Sequence, residues 1–395
     1  MSVSAEQAVP LASRQFDLER QQRTNPNARE SVPSENADRT VKSVESAKDE
    51  KGEELFHVVN YASKDGKKEA GFVIVSADRR AVPVLAYGKK GNFELKNLPK
   101  GPDIWVDIVT RAIKQGKAEL AKPAPEVEAL WRKQEGIVAQ RIEPGNGCPE
   151  DTYYNSGQLM NTEWGQQLTF NMFSPFRSGC SCGLASAGCG AVAIAQVWNY
   201  YQRPAFGDIN GIGMNYTFPM MQTRLSLACN PTEFGTTPPQ PQLQVAHLIR
   251  LAGIAASSEY NWPSCNTLTW RGKIKDAFQF AGFSNRGQRV SFSSNQQWVK
   301  NELLSGHPVI MDGTTGFANF NDWHIWVIDG ARGSFIHLPI DPNDPSAGCY
   351  GWGFAYYHLN WGWEGDDDAW YGISGFVGDG ETYNTHLNVT IGMRQ

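Results

Sequence analysis

The sequence predicts an α+β protein built in two parts, and three observations carry the prediction. At 395 residues the chain exceeds what one ordinary hydrophobic core organises, so two domains are expected. Helical-period segments gather between Cys189 and Gly306 and strand-like runs follow them, the order expected of an α+β domain. All seven cysteines (Cys148, Cys180, Cys182, Cys189, Cys229, Cys265 and Cys349) lie after residue 147, which sets the first third of the chain apart.

Residues 1–52 are polar and charged, with SVPSENADRTVKSVESAKDEKGEE as the extreme, and read as a partly disordered segment. Near its start, AEQAVPLASRQF has the character of a short amphipathic helix. Residues 53–122 read as a small strand-then-helix module. LFHVVNYA, GFVIVSADRR and PVLAYG are rich in Val, Ile and Tyr and broken by Gly, Asp and Pro, and NFEL is a further short strand candidate. DIWVDIVTRAIKQGKAEL then carries Ile104, Ile108 and Ile113 near helical spacing. Residues 123–149 are rich in Pro, Glu and Gly and read as a linker. Residues 150–395 form the second part. Helices are predicted after Cys189 and around PQLQVAHLIRLAGIAAS, RGKIKDAFQFAG and NQQWVKNELLSG. Strands are predicted at HPVIMDG, HIWVIDGA, SFIHLP, FAYYHLNWGW and AWYGISGF, and no internal repeat is present.

A net charge of −5 with 41% hydrophobic residues describes a globular chain and argues against a nucleic-acid partner. No run approaches the roughly 18 apolar residues of a membrane helix. The first thirty residues also lack an apolar leader core. An odd cysteine count leaves at least one thiol unpaired. One free cysteine and three disulfides is the simplest arithmetic for an oxidising compartment, with the pairing open. Cys180-x-Cys182 lacks the partner spacing of a zinc site, so no metal is expected.

The stretch GCGAVAIAQVWNYY places Cys189 at the start of a helix of small residues. Unpaired N–H groups and the macrodipole at a helix N-terminus favour a thiolate, and with a cationic neighbour they lower a cysteine pKa from about 8.5 to roughly 3.5–7.5. On this stretch alone a buried structural cysteine is the commoner outcome. A nucleophile also needs a base. Of the seven histidines, His324 stands where the polar DGTTGFANFND turns into an apolar strand. The base needs an orienting group, and Asn360 offers a carboxamide with Trp361 beside it to shield the contact. Gln166, 23 residues before Cys189, offers an NH₂ donor for an oxyanion hole.

Each piece is weak alone, but their order is that of papain-type enzymes. WGQ, GCGAVAIAQVWNYYQRP, HIWVIDGA and HLNWGWEG together resemble the streptopain family of cysteine peptidases. GFVIVSADRRAVPVLAYGKKGNFEL resembles the propeptide of the same family, so the resemblance covers roughly residues 53–378. It implies a papain-like catalytic domain, a helical part plus an antiparallel sheet, over 150–395. A small α+β propeptide domain at 53–122 would precede it, with processing inside 123–149. It implies Cys189 as nucleophile, His324 as general base and acid, Gln166 as oxyanion donor, Asn360 orienting His324, and Trp361 shielding that pair. A thiolate–imidazolium resting pair, disulfides for Cys180 and Cys182, and no metal or organic cofactor are implied as well. So are a bacterial source, a secreted or periplasmic location with a leader already removed, protein or peptide substrates, and the chain's own propeptide as intramolecular inhibitor.

Two departures from the family pattern bear on the cleft. Trp323 stands before His324 where the family often has glycine. The 35 residues between His324 and Asn360 include an insertion with Cys349, expected near the site, where His337 or His358 would then be within reach. The rival readings are a catalytically silent binding or adhesion module and a transglutaminase-like acyl-transfer enzyme, which would more often orient its histidine with Asp.

Overall fold

The computed structural model describes residues 1–23, 39–136, 148–221, 223–229, 240–260, 265–314, 323–341, 344–377 and 386–395. In chain order the first part contains α1 (Ala5–Arg23), β1 (Arg39–Lys48), β2 (Glu54–Ser63), β3 (Glu69–Ser76), β4 (Val84–Gly88), α2 (Lys100–Glu119) and α3 (Pro125–Glu135). Then come β5 (Thr152–Asn155), α4 (Cys189–Tyr201), β6 (Phe206–Ile209), β7 (Ile212–Asn215), α5 (Gln240–Ala255) and α6 (Ile274–Phe280). The chain closes with β8 (Asn285–Ser291), α7 (Gln296–Leu304), β9 (Val309–Thr314), β10 (Trp323–Pro339), β11 (Cys349–Asn360), β12 (Ala369–Gly372) and β13 (Asn388–Arg394).

One antiparallel sheet runs through both parts in the order β1-β2-β3-β4-β12-β11-β10-β9-β13-β8, with β5 also on β10. Its join is the β4–β12 pairing, Tyr87 opposite Trp370 and Ala86 opposite Tyr371. Leu55 to Ala62 of β2 are all buried, which requires cover on both sheet faces, and α1 and α2 both pack against β2. One hydrophobic core therefore mixes side chains from Val3–Trp131 with others from Phe292–Ile391. A second core lies between α4, α5, α6 and the opposite face of β10, and its members run from Met160 to Met393.

Disulfides join Cys148 to Cys349, Cys180 to Cys265 and Cys182 to Cys229, leaving Cys189 free. This is the one-plus-three arithmetic expected from the cysteine count.

Four local readings need correction. RTVKSVESAK, inside the segment read as partly disordered, is β1, an edge strand paired along β2; edge position explains its charge, because only one side of it meets the sheet. Residues 24–38 of the same polar segment lie outside the described residues. NFEL is not a strand: Phe93 is buried and both its backbone N–H and C=O bond the Asn60 carboxamide, at 2.8 and 3.0 Å, which replaces a ladder. The linker reading hides α3. Pro125 opens that helix, acidic Glu126 and Glu128 occupy its first turn, and Gly136 closes it at φ 74°. Val127 and Trp131, four apart, are fully buried, and Trp131 Nε1 donates to Ala81 O at 2.8 Å. Residues 137–147, which follow α3 in that segment, lie outside the described residues. Finally, HIWVIDGA and SFIHLP are one 17-residue strand, β10.

Candidate active site

Helix α4 starts at Cys189 because the residues around it are small. Gly188 caps the helix at φ 93°, a left-handed value that suits glycine, and a Cβ there would lie 2.9 Å from Thr267. Ala191, Ala193 and Ala195 are buried, letting the helix pack closely. The Cys189 thiol is pushed up to about 11 by burial, and backbone hydrogen bonds at Ile325, Gly190 and its own amide pull it only partly back. The shift runs opposite to the depressed thiol expected from the helix N-terminus, with desolvation as its largest cause.

His324 heads β10, and Ile325, which touches the thiol, follows it. The ring is buried between the near-parallel rings of Trp326 and Trp363, at 5.9 and 5.6 Å. Its Nε2 donates to Trp361 O at 2.8 Å. A carbonyl only accepts, so Nε2 carries the proton and Nδ1 holds the free lone pair. Burial pushes the imidazole down to about 4 while the Trp361 carbonyl opposes that shift. Burial thus pushes the thiol up and the imidazole down, the sense opposite to an ion pair.

Asn360 does not hold the imidazole. Its Nδ2 donates to Thr162 O at 2.6 Å, and its Oδ1 accepts from Gln196 Nε2 at 3.0 Å and from the Gly362 N–H at 3.2 Å. Because these partners occupy its amide, orientation of His324 falls to the main-chain carbonyl of the neighbouring Trp361. The Trp361 indole is buried, tilted against Trp326 at 5.0 Å, with its Nε1 donating to Asp367 O at 3.1 Å. The Trp361 N–H donates to Asp368 Oδ1 at 2.8 Å, so the acidic turn after NWGW seats the tryptophan.

Gln166 lies beside the nucleophile segment, its carbonyl accepting from Ala187 N at 2.8 Å. Its side-chain Nε2 is buried with no hydrogen-bond partner among the described residues. A buried donor left unpaired is costly, and a site awaiting an oxyanion would leave it so. The approach to Cys189 is stapled: Ser186 N donates to Cys265 O at 2.9 Å and Thr267 Oγ1 to Ser186 O at 2.5 Å, next to the Cys180–Cys265 bridge.

The insertion does not border the site. Cys349 pairs with Pro339 at the far end of the β10–β11 hairpin, about 50 Å of strand from His324 at 3.3 Å per residue. There it bonds Cys148, and Tyr350 reaches Glu126 of α3 at 3.3 Å. His337 shares that distal end, opposite Gly351. His358 is tied to Asp329 at 2.6 Å within the sheet. Closeness in sequence misled here because an antiparallel hairpin carries its tip away from its base. Among the described residues no group of three or more His, Cys, Asp or Glu side chains is placed to hold a metal ion.

Sequence reasoning missed Thr162, Trp326 and Trp363 at the site. The aromatic density of HIWV and NWGW was a signal for the two indoles, whereas nothing local marks Thr162. It also missed how the N-terminal part bears on the site. At the start of α2, Gly101 lies so close to Trp361 that a Cβ would overlap the indole. Farther along, Trp105 Nε1 donates to Gly372 O at 2.7 Å.

A free cysteine at a helix start, a strand-borne histidine with its far nitrogen held, and an N-terminal domain sharing the sheet define a papain-like cysteine peptidase with its propeptide attached. The profile of the peptidase C10 family matches residues 164–371, more than half of the chain, and the chain belongs to that family. Residues 1–113 match the Spi protease inhibitor profile. The chain is similar to streptopain of Streptococcus pyogenes, 23% identical over 359 residues that cover 82% of this chain and 78% of streptopain. It is also similar to the thiol protease/hemagglutinin PrtT of Porphyromonas gingivalis, 23% identical over 375 residues, or 87% of this chain and 37% of PrtT. This chain thus spans little more than a third of that larger relative. In fold it matches a fragment of prointerpain A from Prevotella intermedia, with a TM-score of 0.56 at 20% identity over 89% of this chain and 99% of the other.

Proposed function

We propose that this chain is the latent form of a secreted cysteine endopeptidase, with Cys189 as nucleophile, His324 as base and acid, and Gln166 as oxyanion donor. The observation that carries the reading is the held tautomer: Nε2–H is committed to Trp361 O, so Nδ1 is the atom that accepts a proton. Three disulfides and the absence of cysteine from the first 147 residues support an oxidising destination and a detachable N-terminal part.

Residues 1–136 act as the inhibitor, and their departure admits water and substrate to a site that burial keeps neutral. The hydrated pair then exchanges its proton to give thiolate and imidazolium. The thiolate attacks a peptide carbonyl, and the Gln166 NH₂ and the Cys189 N–H stabilise the oxyanion. His324 protonates the leaving amine, and a water activated by the same imidazole releases the acyl group.

Intact mass, followed under mild reductant near neutral pH, tests this. Wild type is expected to lose its residues up to a point between Gly136 and Cys148, while Cys189→Ala stays whole. Equal trimming of both chains by their own action would remove Cys189 from the chemistry. If neither is trimmed, the chain is cut within that segment by an added protease; a trimmed wild type that hydrolyses no peptide sinks the reading.

A further inference from the structure

We infer that Thr162, Gln196, Asn360 and Gly362 form a positioning chain that aims the Trp361 carbonyl at His324. The inference rests on the reading of His324 as base and asks what holds that base in its working tautomer.

Trp361 C=O and Gly362 N–H belong to one planar peptide unit and, in a trans peptide, point in opposite directions. The C=O end accepts from His324 Nε2 at 2.8 Å, and the N–H end donates to Asn360 Oδ1 at 3.2 Å. Turning that plane breaks both bonds together, so the side chain of Asn360 governs the imidazole without touching it. Gly362 sits at φ 75°, where a side chain is strained, and a Cβ there would press on Val192 of α4 at 3.3 Å.

The Asn360 amide is itself locked. Its Nδ2 faces the Thr162 carbonyl at 2.6 Å, and its Oδ1 takes Gln196 Nε2 at 3.0 Å. The Thr162 hydroxyl donates to Gln196 Oε1 at 2.7 Å and closes the ring. Each donor meets an acceptor, and a flip of either amide would set like against like. All three side chains are at least 95% buried, so a broken link would leave a polar group unpaired. The ring joins α4 and β11 to the irregular segment before Gln166. Thr162 lies four residues before Gln166, Gln196 lies two turns after Cys189 on the same helix face, and Asn360 ends β11. One buried junction thus sets the mutual placement of oxyanion donor, nucleophile and base.

If the carbonyl swings away, Nε2 loses its acceptor and the imidazole is free to carry its proton on Nδ1, where it cannot accept one from the thiol. Full-length Thr162→Val and Gln196→Leu, converted in situ, test this through peptide hydrolysis and through Cys189 alkylation by iodoacetamide against pH. Expected is a kcat loss of roughly 10²-fold with KM within about threefold, and an alkylation profile displaced toward that of an ordinary thiol. Thr162→Ser keeps the hydroxyl and is expected to restore both readouts. A Thr162→Val chain with wild-type kcat overturns the inference, and so does one that loses kcat while alkylating like wild type, since that marks a packing defect. Should Gln196→Leu not fold, Thr162→Val, which removes one hydroxyl, decides alone. A wild type that cleaves no peptide would overturn the peptidase reading, and the alkylation comparison would still decide this one.

Discussion

The propeptide side and the helical side of this molecule are held by different means. The first 147 residues contain no cysteine; they are joined to the rest by the short β4–β12 pairing, by Trp105 on Gly372 and by one apolar core shared across the boundary. The helical side has a core of its own and two disulfides, Cys180–Cys265 and Cys182–Cys229, around the approach to Cys189. Cys148–Cys349 marks the divide, because a cut before Cys148 leaves no covalent tie to the propeptide among the described disulfides. Among the described residues the N-terminal part is attached by burial, strand pairing and hydrogen bonds, with no disulfide. The helical part is stapled.

The largest expected effect tests the stapled side. Replacing Cys182 and Cys229 by serine, in a Cys189→Ala chain that the proposed function expects to stay whole, reopens a span of 47 residues. The chain-entropy relation puts the loss at about 4 kcal/mol. Denaturant unfolding reads it, and hydrogen exchange should place it in α4 and α5 while β2 and β3 keep their protection. Equal loss of protection in β2 and β3 would mean that the two sides are one cooperative unit.

A second test sits on the seam, where His324 touches Trp326 of the shared core and follows on to Ile325 of the helical one. The folded imidazole is held down at about 4 against an ordinary 6.5. As pH falls from 6.5 toward 4 the unfolded chain takes up a proton that the folded chain refuses, so stability is lost on acidification, by about 3 kcal/mol. The difference in unfolding free energy between this chain and His324→Gln, followed from pH 7 to 4, isolates that contribution. The raised carboxyls of Asp366 and Asp367 act in the opposite sense, since they cost stability as pH rises, and are common to both chains. A flat difference would show that the ring is not buried in solution.

The smallest effect probes the shed side. Gly101→Ala forces a methyl into the Trp361 indole and should weaken propeptide seating by about 1–3 kcal/mol. Self-processing should become faster while exchange protection of α4 stays as in wild type. Unchanged processing with unchanged stability would show that α2 tolerates the displacement and that this contact does not maintain latency.

Much of the site was legible because its signals are local. A small-residue helix headed by Cys189, a strand headed by His324, and the Trp-Gly-Gln and Asn-Trp-Gly-Trp words each sit within one element, and periodicity reports elements well. Gln166 was legible as a donor and lies beside the nucleophile segment. Asn360 was legible as important but not in its contacts, because an amide flanked by Thr162, Gln196 and Gly362 is placed by residues up to 198 positions away. Helix α3 carried readable signals in Pro125 and Gly136 that its Pro- and Glu-rich composition masked.

The sequence by itself determined which side chains are candidates for thiol-peptidase chemistry, in what order, and that a cysteine-free module precedes them. Only the tertiary structure decided that β4 joins β12, that the inserted hairpin points away from the cleft, and that a main-chain carbonyl, not the Asn360 side chain, holds His324. It also set the direction of the two shifts, with Cys189 raised and His324 lowered by burial. Element type follows from local spacing and propensity. Strand partners, amide partners and pKa values follow from what non-local packing brings near and from how much water it removes.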